Sequence, residues 1–204
     1  MRTVTLLALP LLSFGAHAQL LSFDEWLSRA DKDPYLQPRF GDAGPEVVNN
    51  TVDQDVFVAI TNNRNRQRAM SDSLCRLGFE RLRKNDHVGA MRRFNEAWLA
   101  MPINPEAHRG FGAFFRSMKR PLEAHEHYRA GIAADSTYAP LLKEEADVYM
   151  EQRYHMQQEG RDKQAHDYTL KALDLYKRAH RRMGADPEVT YRLFECYVYV
   201  MNCP

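Results

Sequence analysis

The chain has 204 residues, of which 44% are hydrophobic and 27% are charged, with ten glycines and ten prolines. This composition is that of a globular protein, and the length suffices for one domain or for one short repeat array with an appended segment. The net charge of +1 argues against general binding to nucleic acids or to membrane surfaces, so neither is expected as a partner.

Residues 1–18 have the pattern of an export signal. Arg2 precedes a short apolar stretch, and Ala16 and Ala18 frame a cleavage site of the small-residue type. The apolar stretch is too short for a membrane-spanning helix, and no later segment is apolar for long enough, so no transmembrane segment is expected. The pattern predicts a cleaved signal peptide, a mature chain that begins at Gln19, and a periplasmic or secreted location in a Gram-negative bacterium.

Residues 19–65, which we call the acidic segment, differ from the rest of the chain in charge and composition. Up to Asn62 the segment has eight acidic and three basic residues, a net charge of −5. A short helix is predicted over Ser22–Ala30, whereas the prolines and glycines that follow disfavour a long helix. Valine or isoleucine then recurs at every fourth position over Val48–Ile60, which favours a helix and leaves a strand as the alternative.

Two stretches of the chain repeat one pattern of small and aromatic residues, displaced by 34 positions from Gly78 to Gly112. The repeated positions are Gly78, Ala90, Phe94 and Ala97 in the first stretch and Gly112, Ala124, Tyr128 and Gly131 in the second. A period of this length is typical of stacked helical hairpins. We expect Gly78 and Ala90 to face each other where two helices cross closely, and the aromatic residues to fill the space between hairpins.

A third copy of the pattern is stretched. It begins at Ala146, but its later members come fourteen positions late, at Ala172, Tyr176 and Ala179. Seven added residues in each helix are close to two full turns, so both inner faces keep their direction. This spacing places a turn at Gly160 and predicts one elongated hairpin, with an extra pair of short helices as the alternative.

These positions resemble the tetratricopeptide repeat (TPR) family over Ser71 to about Ala134 and, with the stretched spacing, over Ala139 to Met183. The resemblance implies an all-α chain in which TPR-like hairpins form a right-handed superhelical stack after an irregular, partly helical N-terminal segment. The implied TPR-like domain comprises residues 66–204, with hairpins at about 71–104, 105–138 and 139–184 and a capping helix at 187–201. It also implies a non-enzymatic scaffold that binds another protein or peptide in a concave groove.

In this family the first helix of each hairpin lines the groove, which gives as candidates for peptide binding Arg76, Phe79, Arg83, Arg109, Arg116 and Lys143. The basic side chains suit an acidic peptide, because arginine holds a carboxylate with two parallel hydrogen bonds. Two alternatives remain open: the arginines are solvated, or the acidic segment itself lies in the groove. The sequence has no nucleophile arrangement, phosphate-binding loop or paired-carboxylate motif, so no catalytic residue and no cofactor are expected.

The predicted capping helix is more apolar than is usual for the end of a repeat array. Such ends need a polar outer face, yet Glu195 is the one charged residue over Leu193–Met201. Tyr191, Tyr197 and Tyr199 are therefore candidates for an interface, covered either by the acidic segment or by a partner chain. The alternative function is a structural subunit that self-associates through this helix as a homo-oligomer.

The cysteines and histidines complete the set of candidates. Cys196 and Cys203 can form a disulfide only if the chain bends after the last helix, because seven helical residues separate two Cα atoms by about 10 Å. Cys75 is expected to pack as a small hydrophobic residue. The eight histidines show no ligand spacing, and His125 and His127 point apart on a helix, so no metal site is expected.

Overall fold

The computed structural model describes residues 21–43, 48, 52, 57, 58 and 66–201. Within these residues every regular element is helical and none is a strand, so the all-α prediction is confirmed there. The predicted signal peptide lies outside the described residues. The α-helices are α1 (Phe23–Ala30), α2 (Gln67–Arg83), α3 (His87–Ala100), α4 (Pro105–Ser117), α5 (Pro121–Ala134), α6 (Ala139–Gln158), α7 (Asp162–Met183) and α8 (Pro187–Met201).

Local sequence explains where helices in the first two hairpins begin. The Asn104 side chain accepts a hydrogen bond from the Glu106 N–H at 3.1 Å, and Pro105 occupies the first helical position of α4. The Asp86 carboxylate accepts one from the Gly89 N–H at 2.8 Å at the start of α3. Such side chains satisfy backbone N–H groups that have no partner inside the helix. The hairpins are therefore delimited by residues close to each turn.

The third hairpin is long, as the stretched repeat predicts. Helices α6 and α7 contain 20 and 22 residues, against 17 and 14 in α2 and α3. Gly160 lies in the turn between them with φ +69°, a left-handed conformation that favours glycine. The alternative, an extra pair of short helices, is wrong, because one continuous helix lies on each side of Gly160.

Aromatic rings that pack against glycine residues hold neighbouring helices together. A Cβ added to Gly78 would lie 2.5 Å from the ring of Phe94, and one added to Gly110 would lie 2.2 Å from the same ring. Phe94 of α3 is thus wedged between α2 and α4. The space left by the missing side chain of Gly78 is filled by this ring.

The same arrangement recurs one hairpin later. Gly112 lies against the ring of Tyr128, and Gly131 lies against Leu141 of α6. Consecutive helices from α2 to α8 pack on one another within each hairpin and between hairpins. The remaining repeat positions are all buried: Ala90, Ala97, Ala124, Ala146, Ala172, Tyr176 and Ala179.

The described part of the acidic segment packs on α3 and on the end of α4. The Trp26 ring of α1 lies 5.1 Å from that of Phe114 and 5.7 Å from that of Phe115, between ring centroids. The Tyr35 hydroxyl donates to Glu96 Oε1 at 2.6 Å. These contacts fix the segment to the second helix of the first hairpin and to the end of the first helix of the second hairpin.

The predicted helices of the acidic segment are described only in part. Ser22 caps α1, whose bounds agree with the predicted Ser22–Ala30 helix. Val48 and Val52 are buried, and the Val52 N–H donates to the Val48 carbonyl at 3.0 Å, the spacing of an α-helical hydrogen bond. The rest of Val48–Ile60, apart from residues 57 and 58, lies outside the described residues.

Candidate protein-binding face

The first helices of the three hairpins carry the predicted groove side chains. Helix α2 contacts α4, and α4 contacts α6, so these side chains share one surface, which we call the groove face. Its candidates are Arg76, Phe79 and Arg83 on α2, Arg109 and Arg116 on α4, and Lys143 on α6. The groove face has two electrostatically different parts, a centre on α4 and α6 and an end on α2.

At the centre, the arginines of α4 are held by carboxylates. Arg109 Nη1 lies 2.7 Å from Glu106 Oε1, and Arg109 Nε lies 3.0 Å from Glu144 Oε1. Arg116 Nη1 lies 3.4 Å from Glu144 Oε2, and its Nη2 pairs with Glu151. Glu144 of α6 therefore bridges both arginines and ties α4 to α6.

Lys143 is held in the same way. Its Nζ lies 3.1 Å from Asp147 Oδ2 on the same helix and 2.8 Å from Glu188 Oε1 on α8. Burial alone lowers the pKa of Lys143, but its hydrogen bond to Glu188 and the Asp147 carboxylate outweigh burial and raise the pKa. The lysine is therefore a cation engaged within the protein, as are the two arginines of α4.

Tyrosine hydroxyls complete the hydrogen bonding of these carboxylates. Tyr128 donates to Glu144 Oε2 at 2.9 Å, and Tyr176 donates to Asp147 Oδ1 at 2.6 Å. Burial, together with the neighbouring carboxylate, raises the pKa of both tyrosines well above the ordinary value. Repeat residues that the sequence assigned to packing between hairpins thus also fix the acids of the groove face.

The α2 end of the groove face is different. Arg76 and Arg83 are exposed, and no ion pair or hydrogen bond joins either side chain to another described residue. Phe79 lies between them in sequence, half-buried, with its ring centroid 4.6 Å from the Arg109 guanidinium carbon. An open depression of about 400 Å³ lies here. Its charged lining residues are four arginines, Arg68, Arg76, Arg83 and Arg109, and two acids, Asp72 and Glu106.

The described part of the acidic segment does not lie on the groove face. The Asn95 amide of α3 donates to the backbone carbonyls of Tyr35 at 2.9 Å and Gln37 at 2.8 Å. Arg92 of α3 pairs with Asp33 at 3.2 Å. Residues 21–43 are therefore docked on α3, and the expectation that the acidic segment fills the groove is wrong for this part of it.

Helix α8 has one buried and one exposed apolar face. Val189 and Cys196 are buried, whereas Tyr191 and Phe194 are 60% and 65% exposed and Met201 is 79% exposed. Of the other tyrosines predicted for an interface, Tyr197 is exposed, and Tyr199 stacks on Arg153 of α6. The sequence pattern did not single out Met201, the most exposed of these residues, because one turn of α8 contains apolar residues on several sides.

The histidines and cysteines have separate surroundings. His125 Nδ1 lies 2.7 Å from Glu145 Oε2, whereas the His127 ring stacks on that of Phe115 at 5.2 Å between centroids. Within residues 21–43 and 66–201, with the isolated positions between them, no three His, Cys, Asp or Glu side chains are grouped to hold a metal ion. Cys196 is a buried free thiol, and its pairing with Cys203 stays a prediction because Cys203 lies outside the described residues.

No protein-family model matches the chain, and no curated protein matches it either. The resemblance to the TPR family therefore depends on the repeat positions described above. Among the helices of the described part of the chain, none combines the length and the apolar character that a membrane crossing requires.

Proposed function

We propose that this protein is a non-enzymatic scaffold of the bacterial cell envelope that binds an acidic segment of another protein. In this proposal the hairpins form the right-handed superhelical stack of the TPR family, and the groove face is its concave side. The observation that carries the proposal is a pair of exposed arginines, Arg76 and Arg83, on either side of Phe79, neither of which has a partner among the described residues. The export signal in residues 1–18 supports the envelope location.

The spacing of these side chains suits an extended acidic peptide. Arg76 and Arg83 are two helical turns apart, about 10 Å along α2. An extended chain covers this distance in about three residues. Two carboxylates at that separation reach both arginines, and an apolar side chain between them packs on Phe79. Each arginine can bind a carboxylate without breaking an ion pair to any residue that the structure describes.

A peptide-binding assay tests the proposal. A fluorescently labelled Glu-Glu-Phe-Glu-Glu peptide is titrated with the mature chain, and the same peptide with glutamine in place of glutamate is the control. The Arg76→Glu/Arg83→Glu double variant should bind the acidic peptide at least tenfold more weakly, because each lost charge-assisted hydrogen bond weakens binding. A Lys163→Glu/Arg181→Glu double variant on α7 changes net charge equally and should bind as the wild type does. Equal loss in both double variants would refute a site on α2.

The exposed face of α8 favours a second candidate function, self-association of this chain as a structural subunit. Tyr191, Phe194, Val198 and Met201 follow a spacing of three, four and three residues, the spacing of a coiled-coil seam. This stripe contains no charged residue, so two copies can meet along it without repulsion between like charges. Tyr191, Phe194 and Met201 are exposed and Val198 is half-buried, which leaves the stripe available for such packing.

Sedimentation over a range of concentrations tests this candidate. If α8 pairs with a second copy, the wild type is a concentration-dependent dimer, and Phe194→Ser/Met201→Ser is a monomer. The control is Leu122→Ser, since Leu122 is also exposed but belongs to α5. A wild type that stays monomeric at every concentration removes self-association from consideration.

A further inference from the structure

A buried cation without a carboxylate partner lies between α6 and α8. Arg153 is 7% exposed, and its guanidinium carbon lies 3.3 Å from the ring centroid of Tyr199. This is a stacked cation–π contact, which leaves the N–H groups at the edge of the guanidinium plane. No carboxylate of the described residues forms an ion pair with Arg153. Buried arginines are normally paired, because removing a charge from water is unfavourable unless another group compensates it.

The carboxylates around Arg153 pair with other basic residues. A cavity of about 470 Å³ lies beside this arginine, between the lengthened part of α6 and α8. Four carboxylates line it, and each has a basic partner. The pairs are Asp147 and Glu188 with Lys143, Glu151 with Arg116, and Glu195 with Arg192. Arg153 therefore takes no part in the ion pairs of this lining, and Arg192 Nε in the same lining makes no hydrogen bond.

We infer that this cavity binds a small ligand through a single carboxylate group held by Arg153. The guanidinium is fixed in one plane by the Tyr199 ring, and a planar guanidinium matches the two oxygens of a carboxylate. The cavity volume is within the range of about 300–1,000 Å³ that small-molecule sites occupy. Met150 and Tyr154 supply apolar lining for the rest of such a ligand.

The balance of charge selects one carboxylate over a phosphate. A phosphate group carries about −1.5 to −2 charges at neutral pH. Arg153 compensates only part of that charge, and the four carboxylates of the lining repel the remainder. Lys143, Arg116, Arg192 and Arg153 already balance the four carboxylates, so a ligand with one negative charge adds one uncompensated charge, whereas a phosphate adds about two.

This site is separate from the acidic-peptide site. Arg153 and Tyr199 belong to α6 and α8, whereas Arg76, Phe79 and Arg83 belong to α2. Loss of carboxylate binding at Arg153 therefore leaves peptide binding on α2 intact, and the reverse also holds. Failure of either proposal can be recognised without reference to the other.

The test is an NMR titration of the full mature chain, labelled with ¹⁵N and observed at the arginine Nε–Hε resonances. The probe is N-acetylalanine, and its amide, which has no carboxylate, is the matched control; inorganic phosphate is the third probe. We expect a saturable shift of the Arg153 resonance with N-acetylalanine, a weaker response to phosphate and none to the amide. Arg153→Gln should weaken N-acetylalanine binding at least tenfold, whereas Arg181→Gln, on an exposed part of α7, should leave it unchanged.

The Arg153→Lys variant distinguishes a loss of binding from a loss of folding. Lysine keeps the charge but lacks the planar pair of N–H groups, so this variant should fold and bind several-fold more weakly than the wild type. Three results would overturn the inference: no saturable shift in the millimolar range, equal shifts with the acid and its amide, or unchanged affinity in both Arg153 variants. A stronger response to phosphate than to N-acetylalanine would replace the carboxylate with a phosphate group as the ligand.

Discussion

The two parts of the groove face present the same kinds of side chain in opposite electrostatic settings. At the centre, Arg109 and Arg116 are paired with Glu144, which also accepts the Tyr128 hydroxyl hydrogen bond. At the α2 end, Arg76 and Arg83 make no such contact with any described residue. The centre therefore uses its cations to join the hairpins, whereas the α2 end keeps them available to a partner.

This difference assigns two different roles to the basic residues of the groove face. A paired, partly buried arginine contributes to the free energy of unfolding and has no free hydrogen-bonding edge for a ligand. An exposed and unpaired arginine contributes little to stability but can hold a carboxylate of another chain. Variants of the two parts should therefore separate stability from binding.

The largest expected effect belongs to Glu144. Glu144→Gln leaves Arg109 and Arg116 short of a carboxylate and weakens the hydrogen bond from Tyr128, so the free energy of unfolding should fall by about 2–3 kcal/mol. Urea unfolding followed by circular dichroism measures it. The same variant removes one carboxylate partner from each of the two arginines at the centre and should bind the acidic peptide more tightly than the wild type. Glu126→Gln is the matched control, because Glu126 is exposed on α5 and has no charged partner among the described residues.

Acid should destabilise the second hairpin through His127, which lies away from the ion pairs of the groove face. Burial lowers the pKa of His127 to about 3, with Arg39 and His108 adding to the effect. The native state therefore keeps this imidazole neutral, while the unfolded chain protonates it below about pH 6.5. The contribution of the neutral imidazole to the free energy of unfolding is fully present above that pH. It is lost as the pH falls towards 3, with about 1–2 kcal/mol lost by pH 5.

His127→Leu is the variant that tests this pH dependence. Leucine fills the space beside Phe115 without a titrating group, so the variant should lose less stability than the wild type between about pH 6.5 and pH 5. Unfolding curves at several pH values measure the difference. Parallel pH profiles for the two proteins would assign the acid sensitivity to other groups.

The smallest expected effect is on stability at the α2 end. Arg76→Gln/Arg83→Gln removes two exposed charges that have no partner among the described residues, so the free energy of unfolding should change by less than about 0.5 kcal/mol. Arg109→Gln is the comparison at the centre and should destabilise the protein more, since it leaves Glu106 without its cation and takes one of two arginines from Glu144. Equal destabilisation by both changes would remove the distinction between the two parts.

The helices could be predicted from sequence because their determinants are local. Asn104 and Pro105 start α4 within one turn, and Gly160 lies in the predicted turn because two added helical turns preserve the inner face of each helix. The ion pairs between α4 and α6 on the groove face could not be predicted from the sequence. Arg109 and Arg116 meet Glu144 from positions 35 and 28 residues away, and the register between α4 and α6 decides that contact.

The exposure of the α8 tyrosines could not be predicted from the sequence pattern either. Tyr199 and Tyr197 are two residues apart in an apolar helix, and their spacing alone did not reveal which would be exposed. Tyr199 contacts Arg153 only because the lengthened α6 extends beside α8. Local patterns thus gave the helices, whereas partners from distant parts of the chain decided which side chains are available for binding.

The most direct measurement is an NMR titration of the ¹⁵N-labelled mature chain with the Glu-Glu-Phe-Glu-Glu peptide, observed at the arginine Nε–Hε resonances. The account predicts saturable shifts at Arg76 and Arg83 and none at Arg116, which is held by Glu144 and Glu151. Shifts at Arg116 with none at Arg76 and Arg83 would contradict it, because the peptide would then displace internal ion pairs instead of using the free arginines of α2.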